Sequence, residues 1–235
     1  MSIFFWYDAG TAVDAVLIFF CMEFFHVVNR GIDNRMIALD DKDRLRFVHS
    51  LFELNDVMLA DPNHRLREFD PLRKRETLVA IHAWCLMPNH YHLLISESND
   101  SGISLFMKKL NMGYAKYFNQ KYQRTGALWQ GKAKKIKIKR DENFHLMPKY
   151  IHLNPLDMSL PNWRRGTVKD AKTAIEKLRN YRWSSHLDYV GESNFPSIIR
   201  MGIVRDSVGD RYQYEKGLRD VLSDAEIAQH SMILE

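Results

Sequence analysis

Apolar positions along this chain follow two periods that alternate in blocks. Glu23 to Asn29 (EFFHVVN) crowds aromatic and β-branched side chains together and stops at Arg30-Gly31, the pattern of a first strand. Asp40 and Asp41 open an amphipathic stretch in which Phe47, Leu51, Leu54 and Met58 recur at helical spacing, with Val48 and Phe52 beside them. Residues 61 to 76 are charged, carry two prolines and read as a loop. Leu78 to Leu86 and His90 to Ser96 form two further strand patterns around a tight Met87-Pro88-Asn89 connection, and Ser101 to Arg124 is a long amphipathic helix. Lys132 to Lys139 alternates lysine with isoleucine as a fourth strand would. A last helix runs to about His152, with Asp141 as N-cap and with Pro148 predicting a kink or a fresh start.

The order β-α-β-β-α-β followed by a helix predicts an α+β fold: a ferredoxin-like split βαβ, with a four-stranded antiparallel sheet and helices on one face. From Pro155 the pattern weakens. Trp163, Tyr181, Trp183 and Tyr189 suggest an aromatic-anchored appendage, helical from Lys169 to Leu178, and the last 35 residues predict one or two short helices. The expected division is an N-terminal extension at 1–21, a core domain at 22–155 and a C-terminal appendage at 156–235.

Charge changes this picture more than composition does. The net charge is +5, yet Gly102 to Arg140 holds eleven basic residues and no acid, so the rest of the chain is net negative. A field segregated this way suits a polyanion. Two cysteines, Cys21 and Cys85, sit in apolar runs and predict buried free thiols in a reducing compartment. The apolar run from residue 11 to 28 is broken by Asp14, Glu23 and His26 and has no cationic lead, which predicts neither a signal peptide nor a membrane span. Met22 directly precedes the first strand and is an alternative start, which would leave residues 1–21 outside the fold.

Two stretches carry candidate chemistry. In His90-Tyr91-His92 the alternation of a strand puts both imidazoles on one face, about 7 Å apart, where they either ligate one divalent ion or form a core pair. In Tyr150-Ile151-His152-Leu153-Asn154-Pro155 the spacing of four puts Tyr150 and Asn154 on one helical face, and Pro155 ends the helix. These two are either nucleophile and metal ligand or a core tyrosine beside a helix cap. His152, two residues on, points away from Tyr150.

The runs HVVNRGIDNR, LMPNHYHLLI, GYAKYFNQKYQRTGALWQGKAK, YIHLNP and YRWSS, in that order, resemble the REP-associated tyrosine transposases, relatives of the single-strand insertion-sequence transposases in the HUH superfamily. The resemblance implies a ferredoxin-like catalytic domain over 22–155 and a transposase that cleaves and rejoins DNA through a 5′-phosphotyrosine. It makes Tyr150 the nucleophile and His90, His92 and Asn154 the ligands of Mg²⁺ or Mn²⁺. It also implies single-stranded or hairpin DNA near REP-like palindromes as partner, and a cytoplasmic, nucleoid-associated protein that is a monomer or homodimer. Lys135, Lys137 and Lys139, with Lys108, Lys109, Lys116 and Lys121, are then expected to line a phosphate track beside the site. Trp129 and Tyr122 either stack on bases or pack the core, Arg30 lies within reach of DNA, and His26 makes a structural hydrogen bond. The chain departs from the family after Pro155, reading Leu156-Asp157-Met158-Ser159-Leu160-Pro161 where a Val-Arg-Ala-Gly-Leu-Val type segment is usual. A nucleic-acid-binding protein without turnover and a replication initiator or relaxase are the alternatives.

Overall fold

The computed structural model describes residues 22–58, 75–139 and 144–232. The expected extension at 1–21, most of the charged loop, and the Asp141 cap lie outside the described residues. Within them the elements are β1 (Phe24–Arg30), α1 (Asp41–Glu53), β2 (Val79–Leu86), β3 (His90–Glu97), α2 (Gly102–Lys121), β4 (Lys134–Ile138) and α3 (Leu146–Leu153). After them come α4 (Ala171–Arg179), α5 (His186–Tyr189), α6 (Gly202–Val208), α7 (Arg211–Ser223) and α8 (Ala225–Met232).

The sheet has the order β2-β3-β1-β4 with every neighbouring pair antiparallel, which is the predicted split βαβ sheet. Strand alternation gives it two different apolar faces. Phe25, Val27, Tyr91, Leu93 and Ile95 bury against Phe47 and Leu51 of α1 and Phe106, Leu110 and Tyr114 of α2. Phe24, Leu94, Cys85 and Ile138 point the other way, onto Tyr150 and Ile151 of α3. The two split-βαβ helices therefore share one face as expected, and α3 covers the opposite one. Local chemistry supports each start: Asp40 accepts from Asp43 N at 2.9 Å in a capping box that begins α1. Pro148 falls in the first turn of α3, where its missing N–H costs nothing, so the helix starts rather than kinks there.

The C-terminal third holds more helix than its polarity predicted, because α6, α7 and α8 bury narrow apolar stripes in the cluster to which α3 also belongs. Tyr214, Leu218, Val221 and Leu222 of α7 join the buried cluster that contains Tyr150 and Trp163. A buried polar network fastens the same surfaces. His152 meets Tyr214 Oη at 2.8 Å and Ser185 Oγ at 2.7 Å, and His186 meets Tyr214 Oη at 2.9 Å. His152 thus turns away from Tyr150, as its position in the helix predicts. Among the described residues no helix is long and apolar enough to cross a membrane.

Candidate active site

The register across β3, β1 and β4 places the histidines. His90 faces Arg30, His92 faces Val28, and Leu94 faces His26, all on the α3 side of the sheet. The His90 and His92 rings lie 4.8 Å apart between centroids, edge to face, closer than strand rise alone predicts. His26 adds a third imidazole, stacked on His92 at 5.2 Å and bonded to it, Nε2 to Nδ1, at 3.0 Å. The structural hydrogen bond expected for His26 is therefore to a candidate ligand.

These bonds decide which ring nitrogens can bind an ion. Asn89 Oδ1 only accepts, so the neutral His90 ring carries its proton on Nδ1, 2.6 Å away, and its lone pair on Nε2. His92 Nε2 is buried with no hydrogen-bond partner, an arrangement that suits a metal ligand. It holds a lone pair there when His92 Nδ1 is the donor to His26. Burial pushes the His92 pKa well below its ordinary value, and the neighbouring His26, His90, Arg164 and Arg30 push the same way, so the ring stays neutral.

Tyr150 stands over this pair. Its ring makes edge contacts with His26 at 6.0 Å and His92 at 6.1 Å, and the side chain is fully buried. Its hydroxyl accepts from Arg164 Nη1 at 3.1 Å, and Arg164 Nη2 donates to Asn154 Oδ1 at 2.9 Å. Asn154 donates through Nδ2 to the carbonyls of Tyr150 and Ile151, at 2.8 and 3.3 Å, which turns its oxygen toward the site. Asp157 grips the guanidinium at two points, 2.9 Å from Nε and 2.6 Å from Nη2, and takes the Trp163 indole N–H at 2.7 Å. Burial opposes the charge of Arg164, but its bonds to Asp157 and Tyr150 outweigh this and hold it cationic. Among the described residues no group of three His, Cys, Asp or Glu is placed to hold a metal ion. His90 and His92 fit one, whereas the third expected ligand oxygen is already taken by a cation.

Residues 48–154 match the family model described as Transposase IS200 like. The resemblance is to the IS200-like transposases. The match spans His90, His92, Tyr150 and Asn154 and bears out, over those residues, the resemblance read from the sequence. A solved structure of a REP-associated tyrosine transposase bound to a REP hairpin aligns with a TM-score of 0.43 at 15% identity, covering 90% of this chain and 93% of that one. No curated protein matches the chain.

Around the IS200-like region the basic residues divide between the two faces of the sheet. Lys135 and Lys137 pair with Val27 and Phe25, on the side of α1 and α2, and the Lys135 ammonium lies 4.6 Å from the Phe25 ring. Lys139 follows the end of β4, and Lys137 is paired with Glu23. Lys108 and Lys116 are exposed on α2, while Lys109 donates to the carbonyls of Asp56 and Met58. Lys121 is held by Asp40 and Asp43. The expected phosphate track therefore does not run beside the histidines: strand alternation sends it to the opposite face. Trp129 is half-buried, donates to the Asn111 carbonyl at 2.9 Å and stands edge-on to Tyr91, so it packs α2 to the sheet; Tyr122 is tied to Asp43 at 2.7 Å.

The lysine that sequence reading overlooked is Lys134. It pairs with Val28, which in turn pairs with His92, so it shares the histidine face. With Arg30, Lys132, Asn29, Gln130 and Gly131 it lines a cleft of about 460 Å³ beside the site. The Lys-Ile alternation contained this information, since the isoleucines mark the α3 side and Lys134 shares their parity. For His26 the same parity argument was available. For Arg164 and Asp157 it was not, because they sit in two five-residue 3₁₀ helices, Asn154–Met158 and Pro161–Arg165, too short for a period to show in the sequence.

Proposed function

We propose that the chain is a single-strand DNA transposase that cleaves and rejoins DNA through Tyr150, with Mg²⁺ or Mn²⁺ held by His90, His92 and Asn154. What carries this reading is the Tyr150 ring of α3 standing edge-on to His92 of β3, with Asn154 capping the end of the same helix, inside the region that matches the IS200-like model. The motifs HVVNRGIDNR, LMPNHYHLLI and YIHLNP are the source of the expectation that hairpin or single-stranded DNA is the substrate, and such a substrate puts the protein in the cytoplasm with the nucleoid.

The Tyr150 oxygen attacks a phosphodiester phosphorus, forming a 5′-phosphotyrosine while the phenolic proton ends on the departing 3′-oxygen. Rejoining is the reverse attack by a 3′-hydroxyl and needs no nucleotide. A bound divalent ion would polarise the scissile phosphate and offset charge developing on its oxygens. His26 and Asn89 orient the ligand imidazoles, and α7, through Tyr214 and the buried His152, holds α3 against the sheet. Both histidines and the tyrosine come from one chain in this reading, which supports a monomer, with a homodimer as the alternative. In this division 22–155 is the catalytic domain and 156–235 the brace behind it.

Labelled single-stranded and hairpin oligonucleotides incubated with the protein and Mn²⁺ are expected to give a covalent adduct that survives denaturant and vanishes with EDTA. The burial of Tyr150 favours a second reading, a DNA-binding protein without turnover. DNA retention with no adduct on any substrate would establish that reading instead.

The cleft gives a separate prediction about DNA contact. Lys132→Ala with Lys134→Ala should lower the salt dependence of single-strand affinity by about 1.4 in log–log slope, at roughly 0.7 per lost phosphate contact. Lys135→Ala with Lys137→Ala should change it less. Fluorescence anisotropy across a salt series decides, and the reverse ranking would put the DNA on the α1/α2 face.

A further inference from the structure

Arg164 occupies an unusual position for a cation. It reaches the oxygen of the expected nucleophile and the oxygen of the expected third metal ligand at once, at 3.1 and 2.9 Å, and it lies outside the region that matches the IS200-like model. Its anchor, Asp157, belongs to the segment in which this chain departs from the family pattern. We infer that Arg164 and a divalent ion compete for Asn154 Oδ1, so that Arg164 latches the metal-free site and must leave Asn154 before the third ligand is available. The inference rests on the metal assignment proposed above.

The physical case has three parts. Asn154 cannot turn its amide to offer another oxygen, because its Nδ2 is spent on the carbonyls of Tyr150 and Ile151. A carbonyl oxygen has two lone pairs, but a guanidinium and a divalent ion on the same oxygen would repel each other strongly in a pocket where Tyr150, His92 and Asn154 are shielded from water. The guanidinium is also held in place: Asp157 binds it at two atoms, and its Cζ lies 4.7 Å from the Trp163 ring centroid. A DNA phosphate entering the site offers the guanidinium an alternative bidentate anion. Release of Asn154 and arrival of substrate are thereby coupled, and Tyr150 loses its cover in the same movement.

The test measures Mn²⁺ binding to the full chain without DNA, by electron paramagnetic resonance of the free ion. Arg164→Gln is expected to tighten Mn²⁺ binding roughly tenfold or more, the scale of one hydrogen bond to a charged group. Asp157→Asn, which loosens the anchor and keeps the shape, should tighten it by a smaller factor and decides the matter if Arg164→Gln does not fold. His90→Ala should abolish the binding, which identifies the ion as the one in the site. In an Asn154→Ala background the effect of Arg164→Gln should shrink to the residual repulsion between charges. Equal affinity in wild type, Arg164→Gln and Asp157→Asn would overturn the inference, as would a full tenfold gain in the Asn154→Ala background. An absence of Mn²⁺ binding in every variant would overturn it together with the metal assignment. Adduct formation by wild type is a separate readout, so loss of the latch and loss of the proposed activity are told apart.

Discussion

Tyr150→Phe should remove the covalent DNA adduct completely and lower cleavage by a factor on the order of 10⁵, the scale at which loss of a nucleophile leaves only background chemistry. Phenylalanine keeps the ring that packs against His26, His92 and Trp163, so the site keeps its shape. The lost atom is the acceptor of one Arg164 hydrogen bond, and the guanidinium retains Asp157 and Asn154. Stability should change by about 1.5–3 kcal/mol, the typical net worth of one bond to a charged group. DNA affinity, measured by anisotropy, should remain close to wild type. A Tyr150→Phe protein that still forms the adduct would move the nucleophile to another residue, while one that no longer binds DNA would make the tyrosine structural. The substitution separates chemistry from binding because it removes one oxygen and nothing of the core.

Acid should destabilise this protein well above the range in which carboxylates titrate. Burial lowers the pKa of His82 to about 4, against a smaller opposing pull from the Arg200 carbonyl, and lowers that of His186 to about 4 as well. Between pH 6.5 and 4 the unfolded chain takes up protons at these two positions and the folded chain does not. Stability therefore rises with pH across that window and falls as pH is lowered through it. Above pH 6.5 both states hold neutral rings and the effect is absent. A shift from 6.5 to about 4 is worth about 3 kcal/mol for each ring at the bottom of the window, and two such rings rival the whole stability of many domains. His92 and His152, buried and shifted in the same direction, add to it. Urea unfolding midpoints measured from pH 7.5 to pH 4.5 should drop continuously, and His82→Gln should flatten the curve. A midpoint that stays level down to pH 4.5 would contradict the burial of these rings. The network of His152, His186, Ser185 and Tyr214 gives the effect a functional consequence, because it fastens α7 to α3, the helix that carries Tyr150.

Periodicity carried the sequence a long way here. Alternation and helical spacing depend only on local backbone geometry, and they yielded the four strands and α2 to within three residues of their ends, while α1 stops at Glu53 short of Met58 and α3 begins at Leu146. The same local rules put His90 with His92 on one strand face and Tyr150 with Asn154 on one helix face, and the family motifs tied the two pairs together. Parity within β4 even held the answer to which lysine joins the histidines. Its use required knowing that Ile136 and Ile138 face α3, and register between distant strands is a tertiary fact. Helices α6 to α8 left a weak trace in the sequence because their apolar stripes are narrow and gain their burial from the cluster they share with α3. The Arg164 contacts with Tyr150, Asn154 and Asp157 had no signature at all. They join a helix to two short 3₁₀ helices, where no repeat is long enough to govern which side chains meet, and only the packing of Trp163 and the close of the chain onto α3 decided that a guanidinium would stand between the tyrosine and the asparagine.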